Sequence, residues 1–126
     1  MWTISISDSG VGKIQIDDFK ESFRSDLSFW SKADYERHWS QAAKALGEGF
    51  PVVFITSITE PIISNFFRSW ACYPVKGELI FQEHILFLED LERPFDLDAP
   101  HSNVRAYESV TEDGERVSEW RTRHEI

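Results

Sequence analysis

The sequence predicts an α+β domain in which a twisted, mostly antiparallel sheet of about six or seven strands packs against one main helix, at about residues 32–46. Short runs of alternating apolar and polar residues predict the strands, one stretch with helical spacing predicts the helix, and turn residues separate them. Ten Phe and five Trp among 126 residues supply enough apolar surface for a core. We therefore expect a single domain over residues 1–126.

The first part of the chain predicts three strands. Residues 2–6 alternate apolar and polar side chains, and the alternation resumes at Ile14 and Ile16 after a turn that contains glycine. Phe19–Leu27 restarts it in the other phase, which indicates a third strand after a kink.

The helix has a clear start signal. Ser31 can accept hydrogen bonds from the free amides of the first turn, and Asp34 completes a capping box. Trp30 and Tyr35, on either side of the cap, predict a hydrophobic staple. Gly47 suits the left-handed position that ends many helices. The buried stripe is expected at Tyr35, Trp39, Ala42, Ala43 and Leu46.

The centre of the predicted sheet follows the helix. Pro51–Ile58 contains four successive apolar residues, Val52 to Ile55, as strands with two covered faces do. Asn65–Leu88 predicts two more such strands, joined by a turn at Pro74–Gly77. Val104–Val110 and Val117–Thr122 predict two short final strands around a turn of acidic residues.

The charge balance limits the function classes. The chain carries 22 Asp and Glu against 13 Lys and Arg, a net charge of −9, so it repels phosphate and direct nucleic-acid binding is not expected. An acidic surface instead attracts basic proteins. Cys72 is the only cysteine, and no apolar run is long enough for a membrane span, so we expect a cytoplasmic protein with no membrane partner.

No catalytic or metal-binding set is evident. The four histidines lack the spacing of a zinc site, and one cysteine cannot form a thiolate cluster, so neither a metal nor a cofactor is predicted. A small acid–base enzyme that uses Glu83, His84 or His101 stays as an alternative. Neighbouring strand residues point to opposite faces, however, which separates Glu83 from His84.

Acidic residues cluster after residue 88. Such clusters are either a solvated face or a surface for a cationic protein. The two runs are Glu89, Asp90, Glu92, Asp96 and Asp98, then Glu108, Glu112, Asp113, Glu115 and Glu119. From these we predict the partner contacts Asp96, Asp98, Glu112, Asp113 and Glu115.

Residues along most of the chain carry a family resemblance. They are Trp2–Ile6, Gly12–Ile14, Ser28–Trp30, Tyr35, Trp39, Thr56–Ile58, Trp70, Gln82, His84–Leu88, Pro94, Phe95, Thr111–Glu115 and Ser118–Trp120. In these the chain resembles the CdiI-like immunity proteins of bacterial contact-dependent growth inhibition systems.

The resemblance implies a function without chemistry. Such a protein would be a small cytoplasmic inhibitor that neutralises one cognate toxin domain by one-to-one binding. Toxins of this kind are often nucleases with basic clefts, which an acidic inhibitor would suit. The family offers no catalytic motif, so no residue acquires a role from it, and the chain is not expected to be an enzyme. An acidic binding module of an unrelated assembly is the other alternative.

Overall fold

The fold combines one α-helix with two antiparallel sheets, in a computed structural model that describes residues 1–91 and 93–124. In that part of the chain the elements are β1 (Trp2–Ile6), β2 (Val11–Ile16), β3 (Phe19–Arg24), α1 (Lys32–Gly47), β4 (Val52–Ile58), β5 (Phe66–Val75), β6 (Glu78–Phe87) and β7 (Trp120–Arg123). One sheet has the order β1-β2-β3 and the other β4-β5-β6-β7. The predicted α+β class is confirmed, with the seven strands divided between two sheets.

The third strand is shorter than predicted, and its end explains the division into two sheets. β3 ends at Arg24, not Leu27, because the next two residues bond to β4. The Ser25 hydroxyl donates to the Thr56 carbonyl, and the Asp26 amide donates to Ser57 Oγ (3.1 Å). These contacts turn the chain away from the first sheet.

The helix begins as the sequence predicts. The Asp34 amide donates to Ser31 Oγ (3.2 Å), the Ser31 amide donates to the Asp34 carboxylate (2.9 Å), and the Trp30 ring packs on Tyr35 with centroids 5.2 Å apart. The prediction for Gly47 is wrong, because this residue is the last of the helix. The left-handed conformation belongs to Gly49, whose φ is 95°.

The hairpin of β5 and β6 has a tighter turn than predicted. Val75 pairs with Glu78, so only Lys76 and Gly77 form the loop, and both have positive φ (50° and 82°). Two positive φ values match the twist of the flanking strands. Pro74 lies in β5 opposite Leu79 and not in the turn.

The end of the chain differs from the prediction. Val104–Val110 is not a strand; an isolated bridge between Val110 and Arg116 is the ladder contact that this segment makes within the described residues. The last strand is Trp120–Arg123, and it pairs with β6 between Glu78 and Phe81. Side chains of β5 and β6, described below, hold this segment in place by hydrogen bonds to its carbonyls.

Aromatic side chains join the two sheets face to face. The Phe19 ring lies 4.4 Å from that of Trp120 and 6.0 Å from that of Trp70, and Trp2 lies 5.2 Å from Phe54. Paired rings of this kind bury large areas and dominate core energetics. The described residues contain no helix with the length and apolarity that a membrane crossing requires.

Candidate functional site

Residues 104–108, the covering segment, cross the outer face of β5 and β6. The Tyr73 hydroxyl donates to the carbonyl of Arg105 (2.9 Å), and Gln82 Nε2 donates to the carbonyl of Glu108 (3.0 Å). Val104 packs against Tyr73 and its buried neighbours. Two buried polar side chains therefore hold a segment that has no strand partner, since a buried amide or hydroxyl is costly without a hydrogen bond.

A groove lies on each side of the covering segment. The loop groove, about 280 Å³, separates it from residues 90–91 and 93–96. The edge groove, about 460 Å³, runs between β6 at residues 82–85 and residues 105–117. Both grooves are lined by Arg105, Ala106 and Glu108.

This arrangement brings members of both acidic runs to the two adjoining grooves. Asp96 lines the loop groove, and Glu112 and Asp113 line the edge groove. Asp98 and Glu115 are exposed but line neither groove. Glu92 of the first run lies outside the described residues.

The predicted contacts have carboxylates available for a partner. Within the described residues, none of the five forms an ion pair with Lys, Arg or His. Asp96 Oδ1 accepts from the amides of Asp98 (2.9 Å) and Ala99 (3.2 Å), which fixes its orientation. Unpaired, exposed carboxylates are suited to charge-assisted hydrogen bonds with Arg or Lys of another protein.

Glu119 differs from these five. It accepts from the Tyr107 hydroxyl (2.8 Å) and from Arg121 (2.9 Å). Burial raises the pKa of Glu119, but these hydrogen bonds outweigh it and hold the pKa below its usual value. This carboxylate is already engaged inside the protein.

Sequence reasoning missed two basic residues of this face. Arg93 and Arg105 line the loop groove among the acids. Their positions in sequence gave no signal, because both lie in irregular segments whose course depends on long-range contacts. The buried Gln82 was a usable signal, since an amide inside an apolar strand requires a partner.

The three residues of the enzyme alternative do not meet. Glu83 and His84 both border the edge groove, but their side chains leave opposite faces of β6. Burial and then Glu21 raise the pKa of Glu83, whereas burial lowers the pKa of His84, and neither residue is a cause of the other's shift. His101 lies in a short turn, Pro100–Ser102, that packs on β4 and α1.

Other reactive groups also lack a site. Cys72 is fully buried, and burial raises the pKa of its thiol, which disfavours the nucleophilic thiolate. The part of the chain that the structure describes has no cluster of three or more His, Cys, Asp or Glu that could hold a metal ion.

Comparison with known proteins gives consistent relatives. The family model described as the CdiI N-terminal domain matches residues 25–126. The chain is 29% identical over 113 residues to the immunity protein CdiI of Enterobacter cloacae subsp. cloacae, covering 86% of this chain and 75% of that protein. It also superposes on a chain of the solved CdiA-CT/CdiI toxin and immunity complex from Enterobacter cloacae, with a TM-score of 0.82, 25% identity, and coverage of 98% and 90% of the two chains.

Proposed function

The chain belongs to the CdiI family of immunity proteins, and from this premise we propose that it binds and neutralises a cognate toxin domain of a contact-dependent growth inhibition system. The observation that carries the proposal is the match over nearly the whole chain to a protein solved in a toxin and immunity complex. The related CdiI is itself named an immunity protein. That the toxin is a nuclease stays a prediction.

Neutralisation by binding alone is the mechanism that we propose. The separation of Glu83, His84 and His101 described above supports inhibition without chemistry. One toxin domain would be bound by one copy of the chain. We assign Asp96, Asp98, Glu112, Asp113 and Glu115 as toxin contacts. Their exposure and their freedom from internal ion pairs support this assignment.

A single domain acting in the cytoplasm completes the proposal. One hydrophobic core includes residues from the first strand to Trp120, which supports a single unit over residues 1–126. The buried, free thiol of Cys72 suits a reducing compartment.

Co-expression tests the function. We expect a toxin gene immediately upstream of the gene for this chain. Its C-terminal domain is expressed in bacteria with the chain or with an unrelated acidic protein of similar size. We expect growth with the chain only, and a complex of the two proteins that co-purifies in a one-to-one ratio. Growth arrest in both cultures, with both proteins produced, would refute the proposal. Rescue without a complex would contradict neutralisation by stable one-to-one binding.

A further inference from the structure

The four-stranded sheet has two outer strands, and α1 closes the edge of one of them. The Ile55 amide donates to His38 Nε2 (2.8 Å), the Trp39 indole donates to the Ile55 carbonyl (2.8 Å), and the Ile58 amide donates to the Tyr35 hydroxyl (3.0 Å). All three side chains come from the helix. The helix therefore pairs three outward backbone groups of β4, and covering an edge in this way discourages the addition of another strand.

The opposite edge is closed over only half its length. β7 pairs with β6 from Glu78 to Phe81, and its first residue, Trp120, lies opposite Phe81. No strand of the described residues pairs with the following half, Gln82–Phe87, on that side. The edge groove runs along residues 82–85 of this open half.

The direction of the backbone groups on the open half follows from the register. The Leu88 amide donates to the Asn65 carbonyl (2.8 Å), at the position that continues the pairing of Phe66 with Phe87. In an antiparallel ladder, hydrogen-bonded pairs alternate with non-hydrogen-bonded pairs. Leu86, His84 and Gln82 thus bond to β5. The amides and carbonyls of the residues between them, which are Glu83, Ile85 and Phe87, point away from β5 toward the open side of β6.

Several large apolar side chains along this edge are exposed to solvent. Ile85 is 49% exposed and Phe87 is 41% exposed, and the Phe87 ring lies 6.0 Å from that of Phe66, which is 40% exposed. Contiguous exposed apolar residues indicate an interaction surface.

We propose that the cognate toxin adds an extended, basic segment to this edge, pairing its backbone with that of Glu83, Ile85 and Phe87. The proposal rests on the proposed function and specifies the binding face. Three residues offer three donors and three acceptors, and alternate side chains of the added strand would reach Ile85 and Phe87 on one face.

Charge selects the occupant of the edge. The groove beside it is lined by four acidic residues, Glu83, Glu108, Glu112 and Asp113, and by one basic residue, Arg105. A second copy of this chain would bring a net charge of −9 and the same acids against these, which disfavours a pair of edges. A segment rich in Lys and Arg has the complementary charge.

Hydrogen exchange resolved by residue tests the pairing. In the free chain, the amides of Glu83, Ile85 and Phe87 should exchange quickly, whereas those of Gln82, His84 and Leu86 are protected by β5. In the complex with the upstream toxin domain, we expect protection of the first three amides as well. A complex that leaves them exchanging quickly would overturn this inference and leave the immunity function intact. If they are protected in a free dimer, the occupant is a second copy and the inference is also wrong.

A matched pair of variants gives a second measurement. Ile85→Pro removes the outward amide, and proline is tolerated at edge positions whose N–H does not serve the ladder. Ile85→Ala loses the same side chain but keeps the amide. We expect Ile85→Pro to bind the toxin domain about tenfold more weakly than Ile85→Ala, the loss that one hydrogen bond produces. Equal affinities of the two folded variants would contradict strand addition. If Ile85→Pro does not fold, the hydrogen-exchange experiment on the unaltered chain tests the proposal instead. Absence of any complex with the unaltered chain would refute the proposed function, and this inference with it.

Discussion

The imidazole of His38 shows how one buried residue makes stability depend on pH. It is 2% exposed, and its Nε2 accepts the Ile55 amide, so the ring proton is on Nδ1. Burial, helped by nearby His101, lowers the pKa of His38 from 6.5 to about 3. The folded protein keeps this ring neutral at pH values where the unfolded chain protonates it. Acid therefore favours unfolding below about pH 6.5.

Chemical denaturation between pH 7 and pH 5 measures this effect. We expect His38 to account for a fall of about 2 kcal/mol in the free energy of unfolding over this range. In His38→Gln, whose amide oxygen can accept the same hydrogen bond, the fall should be smaller. His84, whose pKa burial also lowers, keeps part of the slope in both proteins. Identical slopes would show that His38 does not carry the pH dependence.

Substitution by alanine at Gly12 and at Gly47 should change the free energy of unfolding in opposite directions. Gly12 in β2 lies opposite Phe23 of β3, and a Cβ at Gly12 would clash with the Phe23 ring, whereas a Cβ at Gly47 would meet nothing within 4 Å. Gly12→Ala should lower the free energy of unfolding by about 1–3 kcal/mol, as overpacking does. Gly47→Ala should raise it by about 0.5–1 kcal/mol, because alanine favours helix. Thermal unfolding of both variants checks the pair, and a stable Gly12→Ala would show that Phe23 can move away.

At the scale of elements, one stripe of side chains on α1 both packs into the core and forms hydrogen bonds with β4. The residues that the helical spacing predicts to be buried do pack into the core, apart from the half-buried Ala43. Three side chains of the helix also form hydrogen bonds with outward backbone groups of β4. Hydrophobic periodicity predicts the first role. It cannot predict the second, because it carries no information about which strand becomes an edge.

Tyr35 tests the second role. Its hydroxyl donates to the Asp26 carbonyl (2.7 Å) and accepts the Ile58 amide (3.0 Å), and burial raises its pKa to about 12. Tyr35→Phe leaves both backbone groups unpaired, so we expect a loss of about 1–3 kcal/mol in the free energy of unfolding. Tyr107→Phe is the matched control, since that hydroxyl donates to Glu119 at an exposed site and should change stability by less than about 0.5 kcal/mol. Similar losses in both variants would mean that closing the edge contributes little.

At the scale of the whole molecule, the acidic residues are distributed unevenly over the surface. Acidic residues that are separated in sequence lie around the two grooves, and the five assigned contacts form no ion pair within the part of the chain that the structure describes. Charges at the rim of an interface mainly raise the association rate. Apolar anchors and desolvated pairs supply most of the affinity.

Charge reversal tests where the toxin approaches. Glu112→Lys with Asp113→Lys changes the edge groove, whereas Asp18→Lys with Glu48→Lys changes exposed residues that line neither groove. Each double variant raises the net charge of −9 by four units, so long-range effects are matched. We expect the first to slow association with the toxin domain about tenfold at low salt, and the second to have a smaller effect. Equal association rates for the two double variants would show that Glu112 and Asp113 are not toxin contacts.

Local patterns were sufficient for most of the fold. The alternation of β1 and β2, the cap and staple of α1, and the apolar runs of β4 to β6 were predicted because each depends on residues a few positions apart. The acidic character of the candidate face was equally visible in the composition. Assignment of its individual contacts stays a prediction.

Contacts between distant residues decided the rest. Ser25 and Thr56, 31 positions apart, divide the strands into two sheets, and Gln82 holds the carbonyl of Glu108, 26 positions away, so residues 104–108 cover the sheet without joining it. The half-open edge of β6 exists because β7 ends opposite Phe81. The sequence by itself determined which segments form strands and helix, since local spacing governs them. Tertiary structure alone decided which backbone groups stay exposed, because that depends on where each neighbouring strand stops.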